Sequence, residues 1–332
     1  MYLLCSNKNS LKMIPNLAYK FQYSMLRIRR IEEALAKRYA EQEMRCPMHL
    51  CIGQEAIAVG VGSALSVGDK MYSNHRAHGH YLAKGGSLKA MIAELYGRAS
   101  GCCGGRGGSM HMIDLDVGFM GATPIVGGTV PLAVGSAWAT KLQKKTDVTV
   151  IFLGDGCFEE GVVHESLNFA ALHHLPVLFV CENNDFSVYT RINDRQPDRS
   201  IHQIAAAHGI KTGCGDGNDV ELVFNLTNKA LGDLRVGNGP WFLEFSAYRW
   251  REHCGPDYDD HLHYRTIEEI EGGKADCPIE RFRKIALDSA LLSSAEIKKM
   301  EDDIKAEIDK SFVFALVDRK PTLEDARTNV YA

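Results

Sequence analysis

No stretch of this 332-residue chain reaches the ~18 consecutive apolar residues of a membrane-spanning helix, so a helical bilayer span is not expected. Basic residues (38) are balanced by acidic ones (42) and form no stripe. With a formal net charge of −4, the chain has no footprint for nucleic acid or an anionic membrane. Ten cysteines occur without a CxxC pair of zinc-site spacing, and scattered thiols fit a reducing compartment; only Cys102 and Cys103 are adjacent. His75, His78 and His80 raise zinc, yet no second ligand cluster of matching spacing follows, so no zinc centre is expected. The GxGxxG signature of a nicotinamide-binding crossover is missing after the first strand. The first 20 residues carry Lys8, Lys12 and Lys20 but no arginine, no acidic residue and no apolar core with a cleavage site. Secretion is therefore not expected; a transit peptide is only weakly suggested, since arginine is absent, and a cytoplasmic location is expected. No repeat or low-complexity tract is present.

What is present is a pair of short motifs at the two ends of one strand–helix–strand crossover. Residues 147–153 are apolar and β-branched and end at Gly154-Asp155-Gly156. Residues 164–174 show helical apolar spacing at Leu167, Ala170 and Ala171; 177–181 form a second apolar run, opened by Pro176 and closed by Glu182-Asn183-Asn184. In a parallel βαβ unit both strands end on one edge of the sheet, where open α/β folds bind ligands. Asp155 and Asn184 are therefore expected to be neighbours, one offering a carboxylate and the other an amide oxygen. That is too little to cage a divalent cation alone; Mg²⁺ takes about six oxygens, many of them from phosphates and water. The pair suits half of a Mg²⁺–diphosphate site, in which Gly154 and Gly156 let backbone N–H groups approach phosphate beside a helix N-terminus. Arg76 and Arg249 each follow an expected strand, 70–73 and 240–246. Two guanidiniums at that edge are suited to clamp a diphosphate, although each taken alone also fits an ordinary salt bridge.

With 45% hydrophobic residues the chain can bury a substantial core. Residues 19–42 read as an amphipathic helix, with Phe21, Met25, Leu26, Ile28, Ile31, Ala34 and Leu35 on one face. Residues 53–65 read as a small-residue helix, and 88–96 and 129–142 as further helices. The glycine-dense stretch 101–128 lacks periodicity; a long irregular segment inside a compact domain is usually functional, and this one reads as an ordered cofactor-approach loop bearing Arg106 and His111. A helix ends at 205–209, 213–220 reads as a turn and N-cap into a helix over 221–231, and 279–310 is helical. Residues 254–264 form a polar, aromatic segment expected to be mobile. The expected organisation is an N-terminal extension (1–18), one α/β domain (19–310) and a tail (311–332).

Beyond the metal pair, segments spread over about 23–332 resemble the alpha subunits of thiamine-diphosphate-dependent 2-oxo-acid dehydrogenases of the pyruvate, acetoin and branched-chain types. They are Arg27-Ile-Arg-Arg-Ile-Glu-Glu33, Gly53-Gln-Glu-Ala56, His75-Arg-Ala-His-Gly-His80, Gly104-Gly-Arg-Gly-Gly-Ser-Met-His111, Ile125-Val-Gly-Gly128, the helix text at 164–171, Cys181-Glu-Asn-Asn184 and Tyr248-Arg249. No one of these is persuasive; their order and spacing are. The resemblance implies the thiamine-diphosphate-binding fold, a largely parallel sheet with helices on both faces. It implies thiamine diphosphate and Mg²⁺ as cofactors, with Asp155, Asn184 and the backbone carbonyl of Phe186 on the metal and Gly156 and Cys157 donating N–H groups to phosphate. Val126 and Gly127 fall in the segment that meets the aminopyrimidine. His49 and His75 lie near the cofactor, and His253 orders the mouth of the site and assists substrate binding and proton traffic. His78 and His80 follow the acetoin-type pattern, with a structural or a catalytic role for His78.

Because the diphosphate motif occurs once, with no second α/β domain of similar size, the resemblance also implies a beta subunit. That partner would carry the pyrimidine-binding domain and the catalytic glutamate, in an α₂β₂ assembly that passes an acyl group from a 2-oxo acid or acetoin to a lipoyl acyltransferase. Two departures stand out. Thr123 and Pro124 replace the usual Asn and Gly, and proline removes a donor. Cys254 stands where animal pyruvate enzymes have a regulatory serine, which should remove that phosphorylation switch. Charged Arg251 and Glu252 beside it keep a second reading open, a thiamine-diphosphate carboligase or transketolase-like half. The intact metal pair speaks against a degenerate, non-enzymatic relative.

Overall fold

The computed structural model describes residues 13–328 apart from Arg45; residues 1–12 of the expected extension and 329–332 of the expected tail lie outside the described residues. Strands β1 (Lys70–Ser73), β2 (Phe119–Ala122), β3 (Thr149–Gly154), β4 (Val177–Asn183), β7 (Lys211–Asp216) and β8 (Trp241–Ser246) form one sheet in the order β2-β1-β3-β4-β8-β7. Every neighbouring pair is parallel. A two-stranded hairpin of β5 (Phe186–Ser187) and β6 (Thr190–Arg191) stands apart from it. From β1 the chain places β2 on one side and β3 on the other. The strand order therefore reverses at β1, and such a switch point opens a crevice beyond the carboxyl ends of the strands.

Side-chain alternation along the central strands divides the interior in two. Val150 and Phe152 of β3, Leu178 and Val180 of β4, and Leu243 and Phe245 of β8 enter one core. Ile151 and Leu153, Val177 and Phe179, and Phe242 enter the other. A parallel sheet covered on both faces reads as an unbroken apolar run, which is why 147–153 and 177–181 were legible as strands. Helices α1 (Pro15–Arg38), α2 (Glu55–Ala64), α3 (His78–Ala83) and α4 (Leu88–Leu95) pack on the first face; α5 (Val130–Leu142) and α6 (Gly161–Leu172) cover the second.

After the crossover come α7 (Ile192–Arg195), α8 (Ile201–Ala207) and α9 (Val220–Arg235), then α10 (Ile267–Ala275), α11 (Pro278–Asp288), α12 (Ser294–Val317) and α13 (Leu323–Arg327). The small residues of α2 have a reason: a Cβ on Gly60 would stand 2.6 Å from Val223 of α9, closer than side chains pack. Arg29 of α1 grips Glu55 of α2 through two buried hydrogen bonds of 2.6 and 3.0 Å, and Arg27 and Arg30 of the same motif pair with Glu307 and Glu301 of α12. Among the described residues no helix is long and apolar enough to cross a membrane.

Several expectations are corrected. The segment 213–220 is not a turn: 211–216 is the edge strand β7, and only its end at Asp219, whose side chain accepts from Glu221 and Leu222, is the cap. Its glycines masked the strand. A Cβ at Gly215 would lie 2.7 Å from Leu222, so glycine is there for close helix–sheet packing. The glycine-dense stretch hides β2, four residues long. The helical stretch over 279–310 is two helices. Ala290 turns left-handed after α11, and Ser293 opens α12 with a capping box to Glu296. Helix α12 then runs on to Val317 and buries Phe312 and Ala315.

Candidate functional site

The carboxyl ends of β1, β2, β3 and β4 open on one cleft of about 940 Å³, part of it exposed to solvent. From the loop after β1 come Asn74, His75 and Arg76; from the loop after β2, Pro124, Val126 and Gly127. The end of β3 and the turn after it give Gly154, Asp155, Gly156 and Cys157; β4 and the segment after it give Glu182, Asn184, Phe186, Ser187 and Val188. His49, Gln54, Met110 and His253 close it. Twelve sequence-derived candidates are thus brought together: His49, His75, Arg76, Val126, Gly127, Gly154, Asp155, Gly156, Cys157, Asn184, Phe186 and His253.

Asp155 and Asn184 share this cleft, as the crossover geometry requires, and both have protein partners. Asp155 is 2% exposed and its Oδ2 accepts from Arg195, which also binds Glu159. Burial raises the Asp155 carboxyl, against the opposing pull of Arg195. Asn184 donates to Gln54 Oε1 (3.2 Å), and its own Oδ1 accepts from the Phe186 amide (3.2 Å). Upstream, Asn183 is fixed by Glu244 (2.9 Å), which also takes His202 Nδ1 (2.7 Å). Gly156 lies tight against the next turn: a Cβ there would be 2.7 Å from Ser187 Oγ. Val188, a β-branched residue at φ 56°, is held in a left-handed conformation that such residues rarely adopt, at the cleft wall.

The opposite wall is cationic. Arg76 is 5% exposed, and its guanidinium donates only to the carbonyls of Leu50 (2.6 Å) and His253 (3.2 Å). Among the described residues it has no carboxylate partner. Burial, then the nearby Arg249, lowers it to about 10, so it remains charged at neutral pH. A buried cation without a counter-charge is costly and calls for an anion. Around it lie three imidazoles, with ring centroids 4.6 Å (His49–His75), 5.1 Å (His49–His253) and 5.4 Å (His75–His253) apart. Burial first, then neighbouring positive groups, lowers them to about 2, 3 and 4 for His49, His75 and His253, so all three are neutral.

Two candidates lie elsewhere. His78 is fully buried behind the wall, bonded to Glu32 through Nδ1 (2.5 Å) and to Ser109 through Nε2 (2.7 Å). Both of its ring nitrogens are engaged by protein groups, and it does not line the cleft. Arg249 lies near Arg76 but does not line the cleft. It donates to the carbonyls of Arg251 (2.5 Å) and Val188 (3.1 Å) and to the Tyr264 hydroxyl (3.0 Å), and lies 3.7 Å from Asp259. In this way it ties the loop that carries His253 to the hairpin after β4. Asp259 binds Arg265 as well as Tyr264 Oη (2.6 Å), which ties the 254–264 segment to the body of the domain. Arg251 and Glu252 turn into that loop, on the carbonyl of Pro256 (2.8 Å) and the amide of Asp257 (2.9 Å).

The glycine loop also differs from expectation. Arg106 and His111 do not line the cleft, Arg106 donating instead to the carbonyls of Asp325 and Thr328 (3.2 and 2.9 Å); the stretch meets the cleft through Met110 and, past β2, through Pro124, Val126 and Gly127. The loop is organised by buried Glu94, whose carboxylate accepts from the amides of Cys103, Gly105, Gly107 and Gly108 at 2.6–3.0 Å. Sequence reasoning missed Gln54, Asn74, Glu182 and Arg195. Gln54 and Glu182 sit inside quoted motifs, where their neighbours were the signal; Arg195, beyond the hairpin, had none.

This cleft geometry agrees with what the chain resembles. The dehydrogenase E1 component family matches residues 23–324. The chain belongs to the dehydrogenase E1 component family. It is 37% identical over 308 residues to the alpha subunit of acetoin:2,6-dichlorophenolindophenol oxidoreductase from Bacillus subtilis, covering 92% of this chain and 91% of that one. It is 37% identical over 313 residues to the pyruvate dehydrogenase E1 component alpha subunit of Zymomonas mobilis (94% and 87% covered). The mitochondrial alpha-1 subunit of the rice pyruvate dehydrogenase E1 component is 38% identical over 306 residues (92% and 77%). As an E1 alpha-type chain of the 2-oxo-acid dehydrogenases, it is an enzyme component of the oxidoreductase class.

Proposed function

We propose that this E1 chain binds thiamine diphosphate and Mg²⁺ in the cleft and, with a beta subunit, decarboxylates a pyruvate-type 2-oxo acid or cleaves acetoin. The acyl group then passes to a lipoyl acyltransferase. The observation that carries this reading is Arg76, a buried cation with no acid partner, facing the Gly154–Cys157 turn across the cleft that also holds Asp155 and Asn184. The donor set fits the group. A carboxylate, an amide oxygen and a backbone carbonyl at Phe186 are hard ligands for Mg²⁺, with phosphate and water completing the shell. The Arg195–Asp155 pair means that the metal must share or displace that guanidinium.

The roles of the chain's own residues follow. Gly154 and Gly156 leave room for the backbone to approach phosphate, Gly156 and Cys157 donate N–H groups, and Arg76 neutralises the diphosphate. Val126 and Gly127 offer backbone to the pyrimidine end. His49 and His75 shape the pocket, and neutral His253 is placed to accept a proton from substrate at a ring nitrogen. The bound cofactor supplies the electron sink. One α/β domain of the thiamine-diphosphate-binding fold, proposed over 19–310 and carried by its packed end helices to Pro15 and Val317, does this in a cytoplasmic α₂β₂ assembly. The beta subunit would bring the pyrimidine-binding domain and its glutamate. Arg251 and Glu252, the ground for a carboligase, are occupied within their own loop, and nothing else favours that alternative.

Calorimetry and turnover test the reading together. The chain with its beta subunit should bind thiamine diphosphate only with Mg²⁺ and reduce dye with pyruvate or acetoin. The chain alone should give no turnover, and Asp155→Asn should abolish Mg²⁺-dependent binding. Unchanged affinity in that variant defeats the assignment.

A further inference from the structure

The segment after the hairpin brings to the Gly154–Cys157 turn a guanidinium that no strand end supplies. Arg195, in α7, binds Asp155 through Nη2 and Glu159 through Nη1, and its Nε donates to the carbonyl of Thr190 (3.1 Å). Its side chain is only 10% exposed. The neighbouring Gln196 also donates to Glu159 (2.7 Å), so one carboxylate anchors two consecutive residues and fixes where the fork points. Nη1 of Arg195 lies 3.5 Å from where a Cβ on Gly156 would stand, and Ser187 Oγ lies 2.7 Å from the same point. The guanidinium thus stands beside Asp155, Gly156 and Ser187, all of which line the cleft.

Its donors are not used up. A guanidinium carries five N–H groups in a planar fork, and three of these have partners among the described residues. One N–H on each terminal nitrogen is left over, on a side chain almost out of reach of solvent, where polar groups are normally paired. Two carboxylates already balance the charge of Arg195, so what remains is directed donors, whereas at Arg76 it is charge. Arg249 does not take this part: its fork is turned to the carbonyls of Arg251 and Val188 and to the Tyr264 hydroxyl.

We propose that Arg195 is the second diphosphate-binding arginine of this chain, donating from its terminal nitrogens to the phosphate at the Gly156 turn while it keeps hold of Asp155. The proposal rests on the cofactor reading above. One side chain then links the carboxylate on the metal to the diphosphate on the same metal, so that the two are recognised as a unit. A guanidinium beside Asp155 repels a bare cation and accepts one that brings its own anion.

Calorimetry on the chain, with any subunit that co-purifies, tests this with two probes, Mg²⁺ alone and inorganic pyrophosphate at saturating Mg²⁺. Arg195→Met should weaken pyrophosphate binding roughly tenfold, the effect of losing a charge-assisted hydrogen bond, and leave Mg²⁺ alone bound more tightly than by the parent. Opposite signs for the two probes are the expected result. Arg199→Met, which removes an exposed arginine of the same segment, should change neither. Where circular dichroism shows that Arg195→Met does not fold, Arg195→Lys keeps a charge beside Asp155 but loses the fork; it should weaken pyrophosphate and leave Mg²⁺ alone unchanged. Unchanged pyrophosphate affinity in a folded variant overturns the proposal, and so does an equal loss from Arg199→Met. Equal losses for both probes also overturn it, because Arg195 would then only hold Asp155 in place. Binding lost in Arg76→Met but indifferent to Arg195 leaves the cofactor reading standing without this residue, whereas a parent that binds no pyrophosphate with Mg²⁺ removes both.

Discussion

On one wall of the cleft the chain supplies its own counter-groups: Arg195 for Asp155, and Gln54 and the Phe186 amide for Asn184. On the other, Arg76 faces only carbonyls and three imidazoles face one another. The first wall is prepared before any ligand arrives; the second is left with unpaired charge and unpaired ring nitrogens. A ligand with an anionic end gains most where the protein has left most unsatisfied. The difference between the walls therefore predicts opposite responses to mutation.

The largest effect should come from Arg76→Met. Removing one member of a buried charge pair in the ligand complex costs about 3 kcal/mol, a loss of roughly 150-fold in diphosphate affinity by calorimetry. The same change removes a buried charge without a counter-ion, so the ligand-free protein should melt higher than the parent. A lower melting temperature would show that the carbonyls already satisfy the guanidinium.

Arg195→Met should do the reverse. Asp155, 2% exposed, would lose its partner, and the ligand-free protein should lose about 3 kcal/mol in denaturant unfolding. Added Mg²⁺ should restore much of that loss and bind more tightly than to the parent. No Mg²⁺-dependent recovery would mean that the carboxylate does not face a metal position.

Gln54→Leu deletes the 3.2 Å hydrogen bond to Asn184, worth about 1 kcal/mol, and should weaken Mg²⁺-dependent binding only several-fold without a change in fold. Larger losses would move Gln54 into direct contact with the ligand.

The smallest effect is on acid stability. Burial pushes the Glu244 carboxyl up, but bonds from His202 and Asn183 outweigh it and hold it below its usual range. A depressed folded value gives stability that is present above the ordinary glutamate range and lost as pH falls through the folded value. Glu244→Gln should therefore flatten unfolding midpoints on the acid side of that range, and an unchanged pH profile would remove Glu244 from the argument.

The satisfied wall was the legible one. Asp155 and Asn184 sit at the ends of two apolar strands, and the parallel crossover that joins them fixes their meeting from local pattern alone. The imidazole wall was not legible as a unit. His49, His75 and His253 come from loops whose convergence depends on the packing of the whole domain, and sequence spacing reaches only near neighbours. Arg249 follows its strand as expected, yet the direction of its side chain is set by Tyr264 and Asp259, which no strand rule reaches. Among the elements, β7 escaped because its glycines serve a packed helix, a reason invisible without Leu222.

Glu94 gives the glycine loop a meaning that composition alone would reverse. Four amides converge on its carboxylate, the arrangement by which concave backbone elsewhere captures a phosphate or sulfate. Here the anion is covalently part of the protein and cannot leave. The glycines around Glu94 are thus closed to phosphate and form a fixed backing for Met110, while the proposed diphosphate recognition is left to the sparser glycines at the end of β3.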